Sequence, residues 1–248
     1  MKRKNIGAIL SFLLCLSLAG VTYAASSVAG DTVEYDFRSS QTVAKGNVVL
    51  TNNEGTVRAA NAEYNTKSEA GKLTGGVEGV QGEARITCNT LVIHTGGDQL
   101  TAIGNAVLTK QDKTLRADQV EYFQSRKYME TVGDWAKLTM DNGQSSLDAE
   151  YINYDMNAGI ANANGNVRIN SSVRKLTASG DKAIYNTNED DGTIELIGNA
   201  TATQDGNTVS GQSLTLRGAG GSIAQADGKV KMVYLPKPQT TKPQDIEA

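Results

Sequence analysis

Apolar and polar residues alternate along this chain with a period of two. Val167-Arg168-Ile169-Asn170 and Val230-Lys231-Met232 show it, as does Asp181-Lys182-Ala183-Ile184-Tyr185. A period of two puts one residue set on one face, so these stretches read as strands with one buried face. Clusters of turn formers separate such stretches: Asn52-Asn53-Glu54-Gly55, Asp141-Asn142-Gly143, Asn188-Glu189-Asp190-Asp191-Gly192 and Gln204-Asp205-Gly206-Asn207. These residues tolerate positive φ and bond their own backbone.

The alternation is organised into a repeat. One landmark is a strand ending in an aromatic or apolar residue, typified by Ala117-Asp118-Gln119-Val120-Glu121-Tyr122. Its end positions are Tyr35, Tyr64, Ile93, Tyr122, Tyr154, Tyr185 and Leu216, spaced by 29, 29, 29, 32, 31 and 31 residues. A second landmark is a glycine that starts a short apolar strand, as in Gly46-Asn47-Val48, Gly104-Asn105-Ala106, Gly165-Asn166-Val167, Gly198-Asn199-Ala200 and Gly228-Lys229-Val230; Gly75 and Gly133 fill the remaining places. The glycine falls 11 residues after the first landmark in five repeats, then 13 and 12 after it in the last two. Two landmarks in phase seven times signal stacked units, none of which buries its apolar face alone. Each unit reads as about two strands, which predicts an all-β architecture of about 14–16 antiparallel strands without a helix.

The alternation places Val33, Val48, Leu50, Ala62, Leu91, Leu108, Val120, Val167, Ile169, Ala183, Ala200, Leu214 and Val230 on the inward face. These residues are modest in size, and aromatics make up 5% of the chain. A lining of this kind suits an open groove between two sheets, whereas a closed sandwich usually carries larger anchors. A solid solenoid core filled by its own side chains fits the same pattern. Trp135, the single tryptophan, falls in a strand-start slot and reads as a core or groove anchor, or as a wall of that groove. Gly75-Gly76-Val77-Glu78-Gly79 reads as a bulge or twist point.

Composition narrows the picture. Lys2, Arg3 and Lys4 precede an apolar run of 13 residues, Ile6 to Leu18, and Thr22-Tyr23-Ala24 supplies a small residue at a cleavage point. Residues 1–24 therefore read as a secretory signal peptide. Taking its three basic residues from the 24 leaves 21 against 27 acidic ones, a net charge of −6. That balance argues against nucleic acid as a partner. Cleavage leaves Cys88 as the one cysteine, so packing rather than a disulfide holds the fold, and Cys88 reads as a small filler. All three prolines, Pro236, Pro238 and Pro243, lie in the last thirteen residues. A long proline-free stretch suits continuous sheet, and residues 236–248 read as a disordered tail.

Catalytic chemistry finds no footing in the sequence. His94 is the single histidine and reads as a surface residue at a strand end. No spacing of His, Cys and carboxylates suggests a metal or cofactor, and no Ser/His/Asp set is available. Asp190-Asp191 and Asp141-Asn142 are explained as turns.

The Gly-Asn-Val and Ala-Asp-x-Val-x-Tyr phrases, repeated near thirty residues over roughly 28–235, resemble the OstA-like family. It includes periplasmic lipopolysaccharide-transport proteins of the LptA and LptC type and the N-terminal domain of LptD. The resemblance implies an open V-shaped β-jellyroll that holds lipid A acyl chains in an apolar groove between inner and outer membrane. The groove residues it points to are Val33, Tyr35, Val48, Leu50, Ala62, Tyr64, Leu91, Ile93, Leu108, Val120, Tyr122, Val167, Ile169, Tyr185 and Leu214. It implies periplasmic localisation, a role in outer-membrane biogenesis and no cofactor. The implied partners are lipopolysaccharide, the inner-membrane ABC-transporter complex and the outer-membrane translocon. Copies would also pair head to tail through open edges at Thr32–Phe37 and Lys229–Leu235. Burying an acyl chain of about ten CH₂ groups contributes on the order of 8 kcal/mol. At about 4.8 Å per strand pair, seven or eight rungs extend roughly 35–40 Å. The competing reading is a structural or adhesive cell-surface β-solenoid that binds no lipid.

Overall fold

The computed structural model describes residues 27–52, 55–186, 193–217 and 223–235. The signal peptide, the proline-rich tail and the Asn188–Gly192 turn expected above lie outside them. Among the described residues seventeen strands form one antiparallel sheet. In chain order they are β1 Ser27–Ala29, β2 Thr32–Asp36, β3 Gln41–Thr51, β4 Thr56–Asn65, β5 Ala70–Gln81 and β6 Ala84–Ile93. Then come β7 Gln99–Lys110, β8 Lys113–Phe123, β9 Tyr128–Met140, β10 Ser145–Ala149, β11 Tyr151–Asp155 and β12 Ile160–Ser171. The last five are β13 Leu176–Asn186, β14 Thr193–Gln204, β15 Asn207–Arg217, β16 Ile223–Asp227 and β17 Lys231–Val233. From β3 to β9, and from β12 to β15, each strand pairs with the next. Three pairs of short strands each act as one broken rung. These are β1 and β2 on β3, β10 and β11 between β9 and β12, and β16 and β17 on β15. Seventeen strands less three breaks make fourteen rungs, within the number the repeat predicts.

The glycine landmark does not start a strand; it sits in the middle of one. β3 runs through Gly46-Asn47, β7 through Gly104-Asn105, β12 through Gly165-Asn166 and β14 through Gly198-Asn199. Both residues of each pair have positive φ, +71° and +48° at Gly46-Asn47. The register with the next strand shifts at each pair, so two residues oppose one at Gly46-Asn47 and Gly104-Asn105. A bulge of this kind bends the strand. Gly75-Gly76 forms the bulge expected of the glycine-rich segment, between the Thr74 and Val77 pairings.

An acidic or amide side chain from the preceding strand fits most of these bends. Its slot lies four residues before the first landmark: Asp31, Ala60, Asn89, Asp118, Glu150, Asp181 and Gln212. Asn47 Nδ2 donates to Asp31 Oδ1 at 3.1 Å, Asn166 Nδ2 donates to Glu150, and Asn199 Nδ2 donates to Asp181 Oδ2 at 3.1 Å. A Cβ at Gly104 would lie 2.6 Å from Asn89 Nδ2, so the close approach excludes a side chain there. Trp135 belongs to this line too. It is 43% exposed, and its Nε1–H donates to Asp118 Oδ1 at 3.0 Å. The expectation of a core or groove anchor is corrected: the bulge at Gly133 turns Trp135 outward.

The aligned bends double the sheet over along its length, giving it two walls. One wall lies between the bends and the turns that follow the Tyr landmarks. The other lies between the bends and the tight turns such as Asp205-Gly206, whose φ values of +48° and +84° suit a two-residue hairpin. Since all fourteen rungs stack along one axis, at ~4.8 Å apiece the molecule extends about 60 Å. The shorter figure of 35–40 Å is corrected, because it divided the strands between two sheets instead of stacking them in one.

Candidate functional site

The inward face is built of continuous ladders, one residue per rung. On the first wall, cross-strand pairing connects Val33, Ala44, Ala62, Leu73, Leu91, Ala102 and Val120. The ladder resumes as Ile152, Ala163, Ala183, Leu196, Leu214 and Ala226. Thr131 fills the rung between, where its Oγ1 accepts the Ile152 N–H at 2.9 Å. A second ladder carries the Tyr landmarks: Tyr35, Thr42, Tyr64, Gly71, Ile93, Leu100, Tyr122 and Met129, then Tyr154, Ala161, Tyr185, Ile194, Leu216 and Ala224. Large rings thus alternate with smaller residues. At Gly71 a Cβ would lie 2.7 Å from the Tyr64 ring, so glycine there makes room for it. The opposite wall carries Leu50, Val57, Gly79, Ile86, Leu108, Leu115, Leu138, Leu147 and Ile169 on successive rungs.

Both walls meet in an apolar cavity under the middle rungs. Ile86 and Leu108 line it from one wall, and Leu91, Leu100, Ala102, Val120, Tyr122, Met129 and Met156 complete it. Its volume is about 20 Å³, room for about one water. The walls therefore lie close together at these rungs. Burial raises the Tyr185 hydroxyl pKa to about 12, and it raises the Cys88 thiol to about 11. Cys88 is 5% exposed beside the bend line, so it is a buried filler carrying a neutral thiol.

Among the expected groove residues, Val48, Ala62, Leu91, Ile93, Leu108, Val120, Tyr122, Val167, Tyr185 and Leu214 are buried in one core, and Leu50, Tyr64 and Ile169 pack against it. Val33 and Tyr35 pair with that core from the end rung but remain 46% and 40% exposed. Val230 departs from the expectation: it lies between β16 and β17, 54% exposed. The bend at Gly228-Lys229 breaks that rung and takes Val230 out of pairing. His94 is exposed at a strand end, its Nε2 2.8 Å from Thr101 Oγ1.

Sequence reasoning missed the alternate rungs. Thr42, Gly71, Leu100, Met129, Ala161, Ile194 and Ala224 recur at intervals of 29, 29, 29, 32, 33 and 30. The signal was present, but without a shared residue type it carried no phrase to align. Also missed was a polar rim where the second wall meets its turns. There Ser145 Oγ–H donates to Asp141 Oδ2 at 2.6 Å, and the Ser145 and Ser171 hydroxyls lie 2.8 Å apart. Arg174 Nη1 donates to Asp141 Oδ2 and Ser171 Oγ, both at 3.2 Å. This arrangement gives Asp141 a cationic side-chain partner. Lys113 stands on the same rim, 8% exposed. Among the described residues no group of three or more His, Cys, Asp or Glu gathers as metal ligands would.

Comparison with known proteins places these features in context. A family model described as "LptA/(LptD N-terminal domain) LPS transport protein" matches residues 56–159 and 95–221. Together the matches span 56–221, more than half of the 248 residues. Among solved structures, the chain matches LptH of Pseudomonas aeruginosa, described as the LptA-homologous periplasmic component of the lipopolysaccharide transport device. The identity is 15%, with 86% of this chain and 96% of that chain covered and a TM-score of 0.20. At that score the superposition carries no argument, and the architecture rests on the strand pairings. No curated protein matches.

Proposed function

This chain belongs to the family of LptA and LptD N-terminal-domain LPS transport proteins, and on that premise we propose that it is a periplasmic bridge protein. In this reading it carries the acyl chains of lipopolysaccharide between the two walls while the sugars remain in water. The observation that carries the proposal is the cavity, lined from both walls by Leu91, Leu108, Val120 and Tyr122 and continued along the molecule by largely apolar ladders. Its small size implies that the walls part to admit a chain. The apolar area of the chain replaces wall-to-wall contact, so the exchange involves little net exposure of apolar surface.

The two ends support assembly into a longer bridge. β2 and β17 each have one pairing partner and leave inward apolar residues exposed, among them Val33 at 46% and Met232 at 64%. A strand from a second copy, or from a partner of the same fold, would continue both the ladder and the lining. The inner-membrane transporter complex and the outer-membrane translocon are the partners this assembly would connect.

The test uses side chains that can change without emptying the core. Ile169→Asp and Leu50→Asp place a charge on half-buried wall positions, while Arg168→Asp changes the outer face. Purified protein should co-elute with lipopolysaccharide, and both wall variants should lose at least tenfold in binding while Arg168→Asp does not. Unchanged binding in both wall variants, with native far-UV circular dichroism, would refute the assignment.

A further inference from the structure

Lys113 opens β8 on the inner face, in line with Leu115 and Ala117 of the same strand. It is the one charged side chain among the buried described residues, 8% exposed. Among the described residues its ammonium makes no hydrogen bond and no ion pair. The acids of the neighbouring turns are engaged elsewhere. Asp112 accepts the Asp141 N–H, Glu83 accepts the Gln111 amide, and Asp141 itself holds Ser145 and Arg174.

The Lys113 stem packs on the apolar face while its ammonium reaches the solvent edge of the rim, where water or an anion can satisfy it. Lys113 lies one residue before the Thr114–Thr139 pair, level with Met140 and two residues nearer the turn than the Leu108–Leu115–Leu138 ladder. A chain packed against that ladder with its head toward the turns would bring the polar head of its molecule to this rim. The rim stays polar further on, since Ser145 and Ser171 occupy the inward face two and three strands away, about 10–14 Å at ~4.8 Å per strand.

We propose that Lys113 is the anchoring cation for a phosphate group on the head of the amphiphile carried in the interior. This inference rests on the lipid-carrying reading above. A phosphate monoester carries roughly −1.5 to −2 charges at neutral pH. A charge-assisted bond to it at the rim supplies head selectivity that the apolar ladders cannot.

Dodecyl phosphate and dodecyl maltoside, each below its micelle concentration, share a chain and differ in head. By titration calorimetry the wild-type protein should bind dodecyl phosphate roughly tenfold more tightly. Lys113→Met, which keeps the apolar stem, should erase that preference and leave dodecyl maltoside binding unchanged. Lys113→Gln provides a second neutral variant should the first unfold, and Lys113→Arg should restore the preference. Inorganic phosphate at equal concentration should not compete. A preference that survives both neutral variants would overturn the inference and leave Lys113 as a stem that covers the core edge. Displacement by inorganic phosphate would assign the site to a free anion and overturn the lipid source. If the wild type binds both amphiphiles equally, the inference falls alone. If it binds neither, the lipid-carrying reading falls, and the inference with it.

Discussion

Val33 and Val120 occupy the same slot of the repeat, two residues before the landmark, and both face inward. One is 46% exposed and the other 3%. Nothing in the local sequence separates them; position in the stack does. Val120 has a rung on either side, whereas Val33 pairs with Ala44 alone. Burial in this architecture is contributed by neighbours, as expected of a quasi-one-dimensional repeat. The middle therefore supplies the core and the ends supply unsatisfied surface of the same chemistry.

The sharpest way to break this comparison is to place a charge at both sites. Val120→Asp buries a carboxylate among Leu91, Leu108 and Tyr122, and should cost about 4 kcal/mol or more. Val33→Asp leaves its carboxylate in water and should cost less than about 1 kcal/mol. Urea denaturation midpoints of the two variants, compared at equal slope, check this. Equal shifts would mean that the end rung is covered in solution, which would count against an uncovered edge.

The repeat was legible because its two landmarks carry recognisable residues at fixed offset, and from them came the strand number, the inward face and the family. The doubling of the sheet was not legible. Gly-Asn reads locally as a strand start, since glycine interrupts alternation, and only cross-strand pairing shows that the strand continues through it. The Asp of Ala-Asp-x-Val-x-Tyr was visible as part of a phrase, but its contact lies 16 to 18 residues downstream in the next bend. Trp135 was misplaced for the same reason: it follows Gly133, and inward parity is lost at a bulge. Lys113 escaped notice because a lysine after a turn looks solvated until the rung beside it is known.

The bends offer a milder version of the same comparison. Gly104 has φ +79°, and an added Cβ would meet Asn89 Nδ2 at 2.6 Å; Gly228 has φ +70°, with Gln212 Cβ at 2.7 Å. The local strain is similar, but Gly104 is held between full-length rungs, and Gly228 lies on the broken end rung. Gly104→Ala should cost about 2–3 kcal/mol and Gly228→Ala about 1 kcal/mol, because the end can shift to relieve it. Thermal unfolding of the pair decides the matter. Equal losses would place the rigidity in the bend itself rather than in its neighbours.

The smallest effect concerns what the ends do with their exposed surface. If β2 and β17 pair with a neighbour's edge, a charge there weakens association without touching the core. Met232 pairs across from Val209, which packs on the core, so its side chain would be covered by an added rung. Met232→Lys should leave the unfolding midpoint within about 0.5 kcal/mol of wild type. It should weaken self-association by roughly tenfold in sedimentation velocity across a concentration series. Lysine on an edge is a means by which sheets avoid adding strands. The chain already has Lys229 and Lys231 at this edge, yet Val230, Met232, Val233, Tyr234 and Leu235 beside them are 45–64% exposed. An edge protected only against pairing would not need that apolar run. If Met232→Lys leaves the sedimentation profile unchanged, the run serves some contact other than strand addition, and the assembly must be sought at the Val33 end.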